Sequence, residues 1–481
     1  MTQRIRPTVV WFNLDLRLAD QPALQAASIE ERPILPCYVI DLAAGWDWNP
    51  GSASRWWLYH SLRSLDRQFQ KFGGRLIVKK GDVVETLLWL LDVSRARSIH
   101  WTTGHDPKLK KDSALLKLKL DSLDVQSYEH MDGLMFPSSL IRTQQGQPYK
   151  MYSAFAKACQ AAGPVDLPNS IPQNFKLYNG ALSDDANSNL ELLVKAEGGS
   201  HRSLNKYWQP GERHAVAKLQ NFSNSHLVDY SDNRDEVAAD LTSRLSPHIH
   251  FGEVSIRKVW YLTSSTQASF SNIEINAYQR QLLWREFCYH LLVHWPTLPS
   301  QELRKEYCNF PWKPSRVLYA AWKRGETGYP FVDAALRELS SSGWIHNRAR
   351  MVAASFLVKQ LLVPWKMGQS WFWRSLVDAD LANNAASWQW VSGCGTDSAP
   401  YYRIFNPVLQ GQKFDPVGDY VRRWIPELRT LPNRWIHEPW RCPAEEASAA
   451  GFRLGCDYPY PIIDLGAART KALQAWQSIR S

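Results

Sequence analysis

Between residues 8 and 131, short runs rich in β-branched and aromatic residues alternate with longer stretches of helical period, and nothing else in the chain limits its fold as tightly. The runs are TVVWF (8–12), ILPCYVID (34–41), RLIVKKG (75–81), SIHWTT (98–103) and VQSYEHM (125–131), with helical stretches near 20–28, 54–72, 82–95 and 107–121. Strand and helix alternating at this spacing predict a doubly wound parallel sheet, because each crossover helix must cover a sheet face. The first strand runs into WFNLDLRLAD and not into G-x-G-x-x-G, so the sheet lacks a dinucleotide fingerprint.

From about 164 to 200 the period dissolves into a stretch rich in Pro, Asn, Ser and Gly, which reads as a connector. Beyond it, helical segments dominate: AYQRQLLWREFCYHLLVHW (277–295), PFVDAALRELSSSG (330–343), HNRARMVAASFLVKQLL (346–362) and AARTKALQAWQSIR (467–480). The predicted fold class is thus an N-terminal α/β domain with a doubly wound parallel sheet, plus a larger all-helical C-terminal domain. The boundaries expected are 1–132 for the α/β domain, 133–200 for the connector and 201–481 for the helical domain.

Composition narrows the function classes. Lys+Arg number 56 against 46 Asp+Glu, a formal charge of +10, which points mildly to an anionic partner. Seven scattered cysteines form no C-x-x-C pair and no Cys/His cluster, so neither zinc nor an iron–sulfur centre is expected; the metal set is empty. MTQRIRPTVVWF enters a strand with no signal-peptide core, and no apolar run is long enough to span a bilayer. A soluble, cytoplasmic protein in a reducing compartment is expected. The 23 tryptophans are the unusual count; indole fills cores, stacks on bases or ring cofactors, and relays electrons.

The segment 346–362 is apolar nearly all round after its first turn, the mark of a buried helix. Helical spacing puts Asn347, Arg350 and Met351 on one face, and Gln281, Trp284, Arg285 and Cys288 on one face of the 277–295 helix. Two such faces can line an internal pocket, although on the residues alone helix-end polar groups and a core Trp are the commoner explanation. Other motifs fail: the stretch from Asp378 has Asn383 and Gln389 where a calcium loop needs Gly and Glu. GCGTDS (393–398) opens no Rossmann unit, and G-x-S-x-G, Walker A and H-E-x-x-H are absent.

The segments TSRLSPHIHFGEVS (242–255), LLWREFCYHLLVHWP (282–296), TGYPFVDAALRELSSSGWIHNRARMVAASFLVK (327–359) and DADLANNAASWQWVSGCGTDSAPYYRIFNPVLQGQKFDPVGDYVRRWIPEL (378–428) resemble the photolyase/cryptochrome family. So do WFNLDLRLADQPAL (11–24) and GQPYKMYSAFAKACQ (146–160), in the family's order, and the pattern is most similar to bacterial-type cyclobutane pyrimidine dimer photolyases. The resemblance implies FAD held in the helical domain and light-driven electron transfer from reduced FAD to a dimer flipped out of damaged DNA.

Residue by residue, it implies that Thr242, Ser243, Arg244, Leu245 and Ser246 hold the flavin phosphates, where a serine helix cap is the plain alternative. Arg285 and Arg350 match positions near the flavin, and Asp378 and Asp380 match positions at its ribityl or isoalloxazine groups. Asn384 matches the residue facing flavin N5, where an amide accepts a hydrogen bond without adding negative charge; plant cryptochromes carry an acid there. Trp312, Trp365 and Trp388 match the tryptophan triad that relays electrons to the flavin.

Asn347 and Met351 match the lesion pocket of cyclobutane-dimer photolyases, where 6-4 photolyases carry histidines for proton transfer. Trp284 and Trp390 match its aromatic walls, while Arg348, Arg403 and Lys413 match the phosphate-binding surface. Gln281 departs from the usual glutamate and resembles 6-4 photolyases, and Tyr278 stands where some members have Trp. WTTGHDPKLKKD (101–112) lacks the Asn-Glu pair with which some bacterial members hold folate. The antenna expected is 5,10-methenyltetrahydrofolate, with no antenna as the alternative, and Trp56 and Trp57 either stack its pterin or are buried in the core.

The function expected is cyclobutane pyrimidine dimer repair by a deoxyribodipyrimidine photo-lyase. The alternatives are a cryptochrome-type photoreceptor, a 6-4 photolyase because of Gln281, or a basic module that merely stacks bases. UV-damaged DNA is the expected partner of a monomer with no obligate protein partner and no membrane, associated with the nucleoid if bacterial.

Overall fold

In the computed structural model, which describes residues 6–42, 48–180, 182, 186–195, 203–265, 272–397 and 402–480, each strand expected from the alternating pattern forms within a residue or two of its expected ends. They are β1 (Thr8–Phe12), β2 (Ile34–Ile40), β3 (Ile77–Lys80), β4 (Ser98–Thr102) and β5 (Gln126–His130), all parallel in the order β3-β2-β1-β4-β5. The crossovers are α1 (Pro22–Ile29), α2 (Ser52–Lys71), α3 (Val83–Ser94) and α4 (Pro107–Leu120). Asp82 and Asp106 start α3 and α4 by accepting from the N–H groups of Glu85 and Leu109. The central strands β1 and β4 are wholly buried and bring Trp11 and Trp101 to 6.3 Å between ring centroids, so helices on both faces are obligatory.

Pro36 sits inside β2, where a missing N–H would ordinarily break a ladder. Ile34 bonds to Lys176 and Tyr178 on the side away from β1, and the two-residue period turns the nitrogen of residue 36 to that same side. The β2–β3 ladder begins only at Cys37↔Ile77, so the proline falls where no ladder bond is due. The expected connector is partly structured: the bridge Ile34↔Leu177 and a helix, Ala186–Lys195, which packs on α2 and β3, lie within it. The rest of it at 181, 183–185 and 196–202 lies outside the described residues.

Tertiary contacts divide the chain into two units. One comprises Met1–Val228, Ser243–Pro296 and Val377–Leu381; the other comprises Asp229–Thr242, Thr297–Leu376 and Ala382–Ser481. The first holds the sheet, α5 (Tyr152–Ala161) and the 23-residue helix Asn272–His294. The second is helical, with Pro330–Ser342, Asn347–Ser355, Trp365–Ser375 and Leu465–Gln477 among its helices. The segment read as a buried helix is one for its first nine residues, with Ala349, Val352, Ala353 and Ala354 inside. It then widens into a π turn at Phe356–Gln360, closed by Leu361 N–H to the Phe356 carbonyl at 3.0 Å.

Candidate functional site

In the first unit, the helix Asn272–His294 presents Gln281, Trp284 and Arg285 at the spacing expected. Trp284 is half-buried, and one of its faces lies flat on Tyr152 of α5 at 3.7 Å with 4° between planes. Gln281 bonds only loosely within its own helix, Nε2 to the Ala277 carbonyl at 3.4 Å. Arg285 turns inward, donates to the Gly133 carbonyl at 2.7 Å, pairs with Glu286 at 3.3 Å and covers the Tyr289 ring at 4.5 Å. Burial pushes Glu286 up to about 7, although Arg285 and the Phe136 and Met135 N–H groups pull it back.

Asp380 joins this group. It accepts from the Tyr289 phenol and contacts His250 Nδ1 at 3.4 Å. Burial alone would raise its pKa, but the bond and charge of His250, the Arg285 guanidinium and the phenol outweigh it and hold the carboxyl well below its usual range. Asp378 is buried two residues earlier. Within the TSRLS turn, Ser243 Oγ receives the Tyr278 hydroxyl at 3.2 Å and the Leu245 N–H at 3.4 Å. Arg244 holds a left-handed φ of 46°, uncommon for a residue with a side chain, and Ser246 begins the short helix Ser246–His250.

In the second unit lie Thr242 and the remaining candidates. Asn384 and Trp388 occupy the helix Leu381–Ser392 and are buried. The Asn384 NH₂ donates to the Gln369 carbonyl at 3.1 Å, which uses one of its two N–H donors and leaves Oδ1 as its acceptor. The Gln369 side-chain nitrogen is itself buried and meets no acceptor among the described residues. An acceptor-oriented amide beside an unspent buried donor suits a flat heterocycle carrying both N–H and C=O groups, so these residues fit a flavin. Arg350 lies on the helix Asn347–Ser355 and reaches the Ile345 carbonyl at 3.4 Å.

Of the three expected relay tryptophans, Trp388 and Trp365 are buried, whereas Trp312 is partly exposed against Phe310, with ring centroids 4.4 Å apart. Trp388 packs edge-on to Phe372 at 5.0 Å and against the backbone of the Trp365–Ser375 helix at Gly368. Asn347 is exposed at its helix start, with Nδ2 3.8 Å from the Met351 sulfur. Trp390 donates to the Asp397 carbonyl at 3.1 Å. Arg348 pairs with Asp235 at 2.5 Å, while Arg403 and Lys413 are exposed.

Trp56 and Trp57 do not offer a pterin a surface. Trp57 is fully buried, donates to Glu253 at 3.2 Å, stands edge-on to Trp208 and His248, and stacks on Phe251. Trp56 is packed between Trp57 and His60, so the buried-core alternative is the one observed. Sequence reasoning passed over Tyr152, His250, Tyr289, Gln369 and Glu302, which bonds Trp365. Only Tyr289 had a visible signal, four residues after Arg285 on one helix face.

Known proteins resemble this chain over nearly its whole length. Residues 8–173 match the family model described as DNA photolyase, and residues 278–478 match the FAD binding domain of DNA photolyase. The chain is 40% identical to a deoxyribodipyrimidine photo-lyase of Agrobacterium fabrum, over 100% of this chain and 99% of that protein. It is 37% identical to cryptochrome-1 of Arabidopsis thaliana, over 98% of this chain and 70% of that one. The structure of a bacterial class III photolyase from Agrobacterium tumefaciens superposes with a TM-score of 0.95 at 38% identity, covering 100% of this chain and 99% of that chain. With an α/β domain on a five-stranded parallel sheet followed by helices that carry an FAD-binding domain, this chain belongs to the photolyase/cryptochrome family.

Proposed function

We propose that the protein is a light-driven lyase that splits cyclobutane pyrimidine dimers in DNA. The observation that carries the reading is the end-to-end kinship with a deoxyribodipyrimidine photo-lyase at 40% identity, and Asn384 with its acceptor side presented supports it. The chemistry supplied by bound FAD is one electron, given from the reduced, light-excited ring to the dimer and afterwards recovered. Everything else falls to the chain.

Ser243 and the turn around it hold the phosphates, Arg285, Arg350, Asp378 and Asp380 grip the rest of the cofactor, and Asn384 accepts from the ring edge. Trp284 and Trp390 stack against the flipped dimer, and Asn347 and Met351 contact it. Gln281 donates to a pyrimidine carbonyl as negative charge builds there. Arg348, Arg403 and Lys413 fix the DNA backbone, and for Arg348 this means exchanging Asp235 for a phosphate. Trp388, Trp365 and Trp312 relay electrons inward when the cofactor must first be reduced. A folate antenna, 5,10-methenyltetrahydrofolate, completes the reading on residues other than Trp56 and Trp57.

The protein acts on UV-damaged DNA as a cytoplasmic monomer in this reading; among the described residues no helix is long and apolar enough to cross a membrane. The test is illumination of the reduced protein with oligonucleotides carrying either a cyclobutane dimer or a 6-4 photoproduct, with restored thymines read by chromatography. Cyclobutane dimers are expected to split and 6-4 lesions to persist. Restoration of the 6-4 substrate gives Gln281 the deciding weight, and restoration of neither substrate moves the protein to the photoreceptor class of its 37%-identical relative.

A further inference from the structure

Trp365 is 1% exposed, and its indole Nε1–H donates to Glu302 Oε1 at 3.0 Å. An acceptor this strong is more than a buried indole needs. Trp322 and Trp390 satisfy theirs with backbone carbonyls, of Ala353 at 2.9 Å and of Asp397 at 3.1 Å. Two other indoles do end on carboxylates, Trp57 on Glu253, which also binds His248, and Trp435 on the surface Glu446. Among the described residues, Trp365 is the member of the expected relay whose indole N–H meets a carboxylate.

The Glu302 side chain is 11% exposed, so its charge is kept inside at a desolvation cost. Its counter-ion, Lys366, reaches the same oxygen at 3.2 Å from a side chain that is 47% exposed. The Lys366 ammonium is 5.5 Å from the centre of the Trp365 ring, and Cys308 Sγ stands 3.9 Å from the other carboxylate oxygen. Any positive charge that develops on the indole therefore meets a close, poorly screened anion and a more distant, better screened cation. Coulomb attraction to Glu302 prevails.

We propose that Glu302 is the proton acceptor and charge partner of Trp365 during light-driven electron relay, an inference that rests on the relay reading given above. When the photoexcited oxidised flavin draws one electron through Trp388, Trp365 becomes a radical cation and the flavin gains that electron. The Nε1–H bond then breaks, its electron pair stays on nitrogen, and the proton forms a bond to Glu302 Oε1. A neutral indolyl radical and a carboxylic acid result. Trp312, the partly exposed member of the relay, then gives one electron to the indolyl as the proton returns from Glu302 to Nε1, and Trp312 is restored by one electron from an external thiolate, which becomes a thiyl radical. Return of the electron from the flavin to Trp365 is slowed, because the indolyl must regain its proton to be fully restored.

The experiment is flash photolysis of the FAD-loaded protein with oxidised flavin, following the visible bands of indole radical cation and neutral indolyl in H₂O and D₂O. Glu302→Gln keeps an accepting carbonyl at the same reach but removes the charge and the basic oxygen. Conversion of cation to neutral radical is expected to slow by about a hundredfold, the lower end of general-base contributions. Lys366→Met, which removes the competing cation, is expected to speed it. An unchanged conversion rate in Glu302→Gln, with flavin absorbance and melting temperature kept, overturns the proposal. Trp365→Phe separates the two readings: loss of the long-lived radical in that variant supports the relay, and an undiminished radical yield there overturns both.

Discussion

At the scale of single residues, Gln281 and Glu286, five positions apart on one helix, make opposite statements. Gln281 holds its own helix by a long 3.4 Å bond, so little resists its turning toward a guest. Gln281→Glu replaces a neutral hydrogen bond by one that can be charge-assisted or donate a proton, a gain of about 1 kcal/mol. Single-turnover repair of a cyclobutane dimer by the variant is expected to be about fivefold faster; an unchanged or lower rate refutes the role given to residue 281. Glu286 is held at about 7, above the 4.5 usual for such a carboxyl. Because the native state then keeps a proton that the unfolded chain has lost, stability falls as pH rises from about 4.5 to about 7, by up to roughly 3 kcal/mol. Glu286→Gln removes that slope, so its melting temperature relative to the parent should climb between pH 5 and pH 8. His60, His130 and His290, each pushed down to about 4 chiefly by burial, slope the other way in both proteins and cancel in the difference. Helical spacing made Gln281, Trp284 and Arg285 legible as one face, and it made Tyr289 legible too. Tyr152 and Glu302 were not, because each reaches its tryptophan across more than 60 residues of chain and no local period records such a contact.

At the scale of elements, the two helices that carry Trp365 and Trp388 approach through a glycine. A Cβ on Gly368 would lie 2.1 Å from Trp388 Cη2 and 2.5 Å from Cζ3, so the indole uses the space that glycine leaves. Gly368→Ala is expected to cost about 1–3 kcal/mol of stability through overpacking. It should also slow photoreduction of the flavin relative to the parent, which thermal melting and steady illumination would measure separately. Strands were the most readable elements, since buried parallel strands must be continuous runs of Val, Ile, aromatic and similar residues, and such runs are short and bounded. The helix Ala186–Lys195 was missed because its neighbourhood is rich in Asn and Ser, which favour turns; packing on α2 and β3 decides the matter instead. The π turn at Phe356–Gln360 interrupts an apolar period that continues unchanged through it, so nothing in the pattern marks it.

At the scale of the whole molecule, the formal charge of +10 favours any polyanion, whereas the expected contacts Arg348, Arg403 and Lys413 give that attraction a place. Affinity for dimer-containing DNA should fall with a log–log salt slope of at least about −3, and each neutralised cation among these three should lessen the slope by about one. Fluorescence anisotropy over a potassium chloride series would show it, and a flat dependence removes the charge argument. The family was legible because its long segments run in order through nearly the whole chain; the antenna was not, because no comparable segment marks it. The chain also passes repeatedly between its two units, and the last piece of the first is Val377–Leu381. Asp380 arrives in that piece, so a ribosome must pass residue 381 before Tyr289, His250 and Arg285 have the carboxylate around which they pack. A polypeptide ending before that piece leaves the Tyr289 phenol and His250 without this carboxylate, so the first unit is completed only after the segment Thr297–Leu376 of the second has been made.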